Sequence, residues 1–265
     1  MIKKPSAILQ CEGITVSFDG FKAIQGMHLS LERSELRFLI GPNGAGKTTM
    51  LDVICGKTKP TSGKVVYNGI DGAGPIEITR KKEHQIAELG IGRKFQAPSV
   101  FPTLTVFENL EIAMRQRRSV FSTLFARMSA EDRERIDMQL SLIGLQNKAS
   151  WRAGGLSHGE KQWLEIGIML MQEPGLLLLD EPVAGMTDKE TNKTGELLKE
   201  IVKSRTVVVV EHDMEFVRNF ASKVTVMHEG RLLKEGTMDE VQSDDRVAEV
   251  YLGKRRDADV SRSTA

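Results

Sequence analysis

The stretch Gly41-Pro42-Asn43-Gly44-Ala45-Gly46-Lys47-Thr48-Thr49 constrains this chain more than any other. It follows the apolar run Phe38-Leu39-Ile40, which reads as a buried strand, and it opens a helix-compatible run over 48–55. Gly41, Gly46, Lys47 and Thr48 stand at the fixed places of G-x-x-x-x-G-K-[ST]. Successive backbone N–H groups in such a turn form an anion-binding nest, and the next helix points the positive end of its dipole at the same anion. Lys47 can reach the β- and γ-phosphates, and Thr48 can place a hydroxyl on Mg²⁺. Pro42, Asn43, Gly44, Ala45 and Thr49 complete the loop as candidate nucleotide contacts. The loop implies a nucleoside triphosphate held by a strand–loop–helix unit of an α/β fold. The reaction has to be read elsewhere.

Composition narrows the field. The 265 residues suit one large α/β domain or two small ones, and 37 Lys and Arg against 36 Asp and Glu argue against a nucleic-acid stripe. Cys11 and Cys55 show no metal-type spacing and fit a reducing compartment. The sequence shows neither a signal peptide nor a run near the ~18 apolar residues of a membrane span. The expectation is a protein that is soluble and cytoplasmic by itself and can still dock on a membrane partner.

Along the chain, short apolar–polar steps over 7–33, punctuated by Gly13, Gly20 and Gly26, predict antiparallel strands with turns. Phe18 lies there and can stack on a base, with Phe21 as competitor. Residues 78–89 look helical, and 90–96 read as a strand entering a loop. Thr105 and Glu108 form a capping box. Ser129 with Asp132, Ser157 with Glu160 and Thr187 with Asp188 to Glu190 are further helix starts. The segment over about 97–172 reads as a helical subdomain inserted between core parts at about 7–95 and 173–253. The tail over 254–265 is polar and expected to be disordered. The basic cluster Arg115-Gln116-Arg117-Arg118 reads as a solvated helix end or a docking patch.

Leu176-Leu177-Leu178-Leu179 and Val207-Val208-Val209-Val210 are continuous apolar runs, as in strands buried on both faces. The first ends in Asp180-Glu181-Pro182 and the second in Glu211-His212-Asp213. Ligands of open α/β sheets bind at such carboxyl ends. Asp180 can hold Mg²⁺, Glu181 can deprotonate a water, and His212 can contact a γ-phosphate. With Lys47 they make a phosphoryl-transfer site.

GPNGAGKTT, Gln96, Leu156-Ser157-His158-Gly159-Glu160, LLLLDEP and His212 follow one another as they do in ABC-transporter ATPase subunits, and the chain resembles that family over 7–253. The resemblance implies a P-loop NTPase (RecA-like) core with an antiparallel β subdomain and an inserted helical subdomain. It implies ATP and Mg²⁺ as cofactors, Glu181 as base and His212 as switch histidine. Phe18 would be the adenine-stacking aromatic, and Gln96 a metal contact with Thr48 and Asp180. Residues 156–160 would be the signature motif, acting on ATP held by a second ATPase subunit, of the same or a sister chain. Transmembrane permeases and, indirectly, a solute-binding protein would be partners; nucleic acid would not. His158 and Glu160 depart from the general LSGGQ, and Thr187 stands where the family has an aspartate. The finer motifs, among them GIGRKFQAPSVFPTLTVFENL and DEPVAGMTD, resemble the urea-type ATPase subunits of the branched-chain amino-acid importer group. They imply urea as cargo, with a branched-chain amino acid as the alternative. The segment from Ala97 to Thr105 would dock the permease. A soluble ABC ATPase would carry long coiled coils or tandem nucleotide domains, and a small-molecule kinase would not need LSHGE.

Overall fold

A computed structural model describes residues 7–69, 74–94, 100–114 and 128–250. Gln96, the dock expected around Pro98, the basic cluster at 115–118 and the tail beyond Lys254 lie outside the described residues.

The strands are β1 (Ala7–Phe18), β2 (Phe21–Glu32), β3 (Leu36–Ile40), β4 (Ser62–Asn68), β5 (Pro75–Glu77), β6 (Ile91–Arg93), β7 (Leu176–Asp180), β8 (Thr206–Val210), β9 (Lys223–His228) and β10 (Arg231–Gly236). They form a four-stranded antiparallel sheet, β2-β1-β4-β5, and a six-stranded sheet, β10-β9-β3-β8-β7-β6. In the larger sheet only the β9–β10 hairpin is antiparallel. The β1–β2 hairpin turns at Asp19-Gly20, an Asp-Gly pair with both residues at positive φ. Gly13 and Gly26, expected to end strands, lie inside them instead. The register of β1 shifts between Cys11 and Ile14, so Gly13 marks a bulge and the strand runs on.

The apolar runs of β7 and β8 split between two cores. Leu177, Leu179, Val207 and Val209 join one, whereas Leu176, Leu178, Val208 and Val210 join the other. Successive strand side chains point to opposite faces, so only an unbroken apolar run fills both. Each fully buried side chain of this kind contributes about 1.5–3 kcal/mol. One core is shared with the antiparallel sheet, α1 (Lys47–Ile54) and α2 (Glu83–Glu88). The other is covered by α3 (Val106–Ala113), α4 (Ala130–Leu142), α5 (His158–Leu170), α6 (Asp188–Val202), α7 (Met214–Phe220) and α8 (Met238–Gln242).

Between the neighbouring strands β6 and β7, the described elements are all helical. Thr105, Ser129, Ser157 and Thr187 each cap a helix with a side-chain oxygen, a contact worth about 1 kcal/mol apiece. The helix expected from Ile78 begins only at Glu83. Ile78 N donates to Val65 O at 2.9 Å, and Val65 N donates to the Thr79 hydroxyl at 2.8 Å. Those bonds hold 78–79 at the edge of β4, in a conformation a helix could not share. Among the described residues, no helix is long and apolar enough to cross a membrane.

Candidate functional site

β7, β8 and β3 are adjacent and parallel, so their carboxyl ends share one edge of the sheet. There the chain leaves β3 into Gly41, β7 into Glu181 and β8 into Glu211 and His212. Three stretches far apart in sequence thus converge by strand order alone.

The phosphate loop is walled from behind by backbone. A Cβ on Gly41 would lie 2.1 Å from Met227 O, and one on Gly46 would lie 2.6 Å from Ala23 O. Gly46 caps α1 in the left-handed region (φ 96°), with no side-chain hydrogen bond to the helix's first N–H groups. Lys47 Nζ donates to Gly41 O at 2.8 Å and Pro42 O at 3.1 Å, folded over the loop it follows. A cleft of about 410 Å³ fronts the loop, lined by 43–49, Ala23, Glu181, Val210, Phe18 and Phe21. Phe18 and Phe21 are cross-strand partners at the hairpin tip, 49% and 67% exposed. The hairpin therefore brings both candidate aromatics to the cleft, and either ring can meet a base.

Asp180 is nearly buried and accepts a hydrogen bond from the Thr48 side chain, with Arg93 Nη2 3.8 Å away. Burial pushes its pKa above the usual aspartate range, against the pull of Thr48 and Arg93. A desolvated carboxylate beside a hydroxyl offers hard oxygen donors, the chemistry Mg²⁺ prefers; that ion keeps most of its waters and takes few protein ligands. The loop and this pair fit a magnesium nucleotide.

Glu181 is a non-glycine residue at φ 49°, a conformation that costs on the order of 1–3 kcal/mol and recurs at functional sites. Its N–H donates to Val210 O at 2.9 Å, and its side chain is half exposed on the cleft. His212 Nδ1 lies 3.6 Å from Glu181 Oε1. Sequence reasoning passed over Glu211, which is 1% exposed. Its carboxylate accepts from Val183 N at 3.2 Å and His212 N at 3.1 Å, tying the turn after Glu181 to the histidine. Burial pushes the Glu211 pKa up. The only signal in the sequence is an acid directly after the run Val207 to Val210.

Residues 156–160 stand apart from this cleft: none of them lines it. Leu156 is buried in the helix-covered core. Ser157 caps α5 and exchanges hydrogen bonds with Glu160, at 3.2 Å and 3.1 Å. His158 Nε2 lies 3.0 Å from Ala184 O, and a Cβ on Gly159 would meet Glu190 Oε1 at 2.5 Å.

The family model described as "ABC transporter" matches residues 24–184. This chain is an ABC transporter ATP-binding subunit. It is 34% identical to the high-affinity branched-chain amino acid transport ATP-binding protein LivG of Salmonella typhimurium, over 93% of this chain and 98% of the relative. Against the branched-chain amino acid transport ATP-binding protein BraF of Pseudomonas aeruginosa the values are the same. The crystal structure of the ADP conformation of an ABC transporter's ATP-binding cassette superposes with a TM-score of 0.79 at 31% identity, covering 94% of this chain and all of that one. A dimeric bacterial ABC transporter cassette gives 0.69 at 27% identity, covering 87% and 98%. The protein is an ATPase coupled to transport, with ATP and Mg²⁺ as its cofactors. ABC ATPase subunits dimerise and work with transmembrane permeases.

Two departures of this cassette from the general family pattern have physical explanations. Glu160 brings an acid to the segment 156–160, but Lys148 Nζ meets its two oxygens at 2.6 Å and 2.8 Å. Burial opposes ionisation of Glu160, yet Lys148 and the Ser157 N–H hold its pKa below the usual glutamate value. Thr187, in place of an aspartate, accepts from Glu190 N at 3.4 Å and so caps α6 itself.

Proposed function

We propose that this cassette binds Mg-ATP at the β3–β8–β7 edge of one copy and completes the site with the signature of a second. The observation that carries this reading is the separation of 156–160 from the cleft, while Ser157 sits at a helix N-terminus suited to an anion. The loop N–H groups and Lys47 bind the β- and γ-phosphates. Thr48 and Asp180 would hold Mg²⁺, joined by Gln96 as the family resemblance implies, and the bound ion would supply neutralisation of phosphate charge. Phe18 or Phe21 stacks on adenine. Glu181 accepts a proton from the attacking water, and His212, within 3.6 Å of Glu181, holds that carboxylate and reaches the γ-phosphate. Closure of the two copies and reopening after hydrolysis drive a permease docked near Phe101, which is 53% exposed. The subunit works peripherally, on the cytoplasmic face of the membrane. Light scattering of the Glu181→Gln protein tests closure: Mg-ATP should produce a dimer, and a strict monomer at saturating ATP would contradict a homomeric sandwich.

For cargo, near-full-length similarity to LivG and BraF supports a branched-chain amino acid. That similarity outweighs the motif resemblance that pointed to urea. A solute-binding protein would deliver the cargo to the permease. Cells lacking this chain should lose high-affinity uptake of labelled leucine and keep that of urea. The reverse pattern would restore the urea reading and leave the motor untouched.

A further inference from the structure

Glu190 has no part in the chemistry above, yet it occupies the signature. It lies in the first turn of α6, and its Oε1 accepts the Ser157 hydroxyl at 3.2 Å. Its Oε2 accepts from Thr187 N at 3.1 Å and the Thr187 hydroxyl at 2.9 Å. The 2.5 Å approach of Oε1 to a Cβ built on Gly159 places this carboxylate against the first turn of α5. The Thr187 N–H and hydroxyl hold the Glu190 pKa below the usual range, so the group stays anionic at neutral pH.

A serine hydroxyl has one proton to donate. If Ser157 serves the γ-phosphate of ATP on a second copy, it cannot serve Glu190 at the same time, and two anions at one helix N-terminus repel. We propose that Glu190 is a resident competitor for the signature serine. It positions Ser157 in the separate subunit, is displaced by the γ-phosphate of the partner's nucleotide, and so sets the ATP concentration at which two copies close. This inference rests on the composite site proposed above.

The test uses the full chain in the Glu181→Gln background, with dimer formation followed by light scattering against Mg-ATP concentration. Glu190→Gln keeps the shape of the cap, because glutamine serves a capping box as glutamate does, but removes the charge. Glu190→Ala removes the acceptor as well. Both should lower the ATP midpoint, by about tenfold, the scale of one hydrogen bond to a charged group. Thr187→Ala breaks the cap yet leaves a carboxylate facing Ser157, so it should not lower the midpoint. An unmoved or raised midpoint in Glu190→Gln overturns the proposal, as does an equal fall in Thr187→Ala, which would reduce Glu190 to a helix cap. Ser157→Ala separates this failure from that of the underlying reading. An undiminished ATP response in Ser157→Ala, or no dimer in the Glu181→Gln background itself, removes the homomeric composite site and this proposal with it.

Discussion

The phosphate-loop edge and the signature face are built by opposite means. At the edge, Gly41 and Gly46 are pressed against the backbone at Met227 and Ala23, and the flanking strands are buried on both sides. Rearranging that loop means moving strands. At the signature, Ser157 and His158 are exposed, and Glu160, Glu190 and Ala184 hold the face through polar contacts that a new partner can replace. One region has a shape fixed in folding. The other is held by hydrogen bonds that can be exchanged. The cycle of closure and reopening proposed above needs both, because only the second kind of surface can switch without unfolding.

The largest effect should come from the edge's chemistry. Glu181→Gln should retain ATP and lower kcat by ~10²–10⁴-fold, as expected for loss of a general base. A wild-type rate, measured by phosphate release, would shift the role of base to His212.

A matched pair of substitutions sharpens the contrast in rigidity. Gly41→Ala forces a Cβ against a backbone oxygen and should cost about 1–3 kcal/mol of stability, with weakened ATP binding. Gly155→Ala, next to the signature, meets nothing within 4 Å and should change stability by no more than about 0.5 kcal/mol. Denaturant unfolding of both proteins checks this, and equal losses would erase the distinction between the two regions.

What could be read in the sequence follows the same divide. The edge was legible because its motifs are local: a glycine loop with its lysine, and unbroken Leu and Val runs ending in acids. Strand order then did the assembly. Arg37 shows where local reading stops. A charged residue before Phe38 looks like a strand boundary, but β3 starts at Leu36 and Arg37 is fully buried. Glu35, Thr225 and Glu235 satisfy it, two of them nearly two hundred residues away along the chain. The contacts around 156–160 were invisible for the same reason. Lys148 facing Glu160 depends on how the turn at 146–148 packs on α5, Glu190 facing Ser157 depends on how α5 and α6 pack, and no spacing rule encodes either.

The smallest effect tests the Lys148 pair. The folded-state pKa of Glu160 is depressed, so its contribution is present above the unfolded glutamate value of about 4.3. It is lost as pH falls from there through the lower folded value. Glu160→Gln should therefore flatten the acid side of the stability profile by less than about 1 kcal/mol, since the pair is only partly buried. Identical acid limbs would mean that Lys148 leaves the charge of Glu160 unbalanced.

If the edge of one copy and the signature of another make one site, mixing two disabled chains restores it. Lys47→Ala lacks a working phosphate loop, and Ser157→Ala lacks a working signature; each alone should hydrolyse little ATP. In a mixed head-to-tail dimer, the intact loop of one chain faces the intact serine of the other. An equimolar mixture should therefore regain up to about a quarter of the wild-type sites, because half of the dimers are mixed and each holds one complete site. A mixture no more active than its separate components would contradict the composite site and return Ser157 to a role within its own chain.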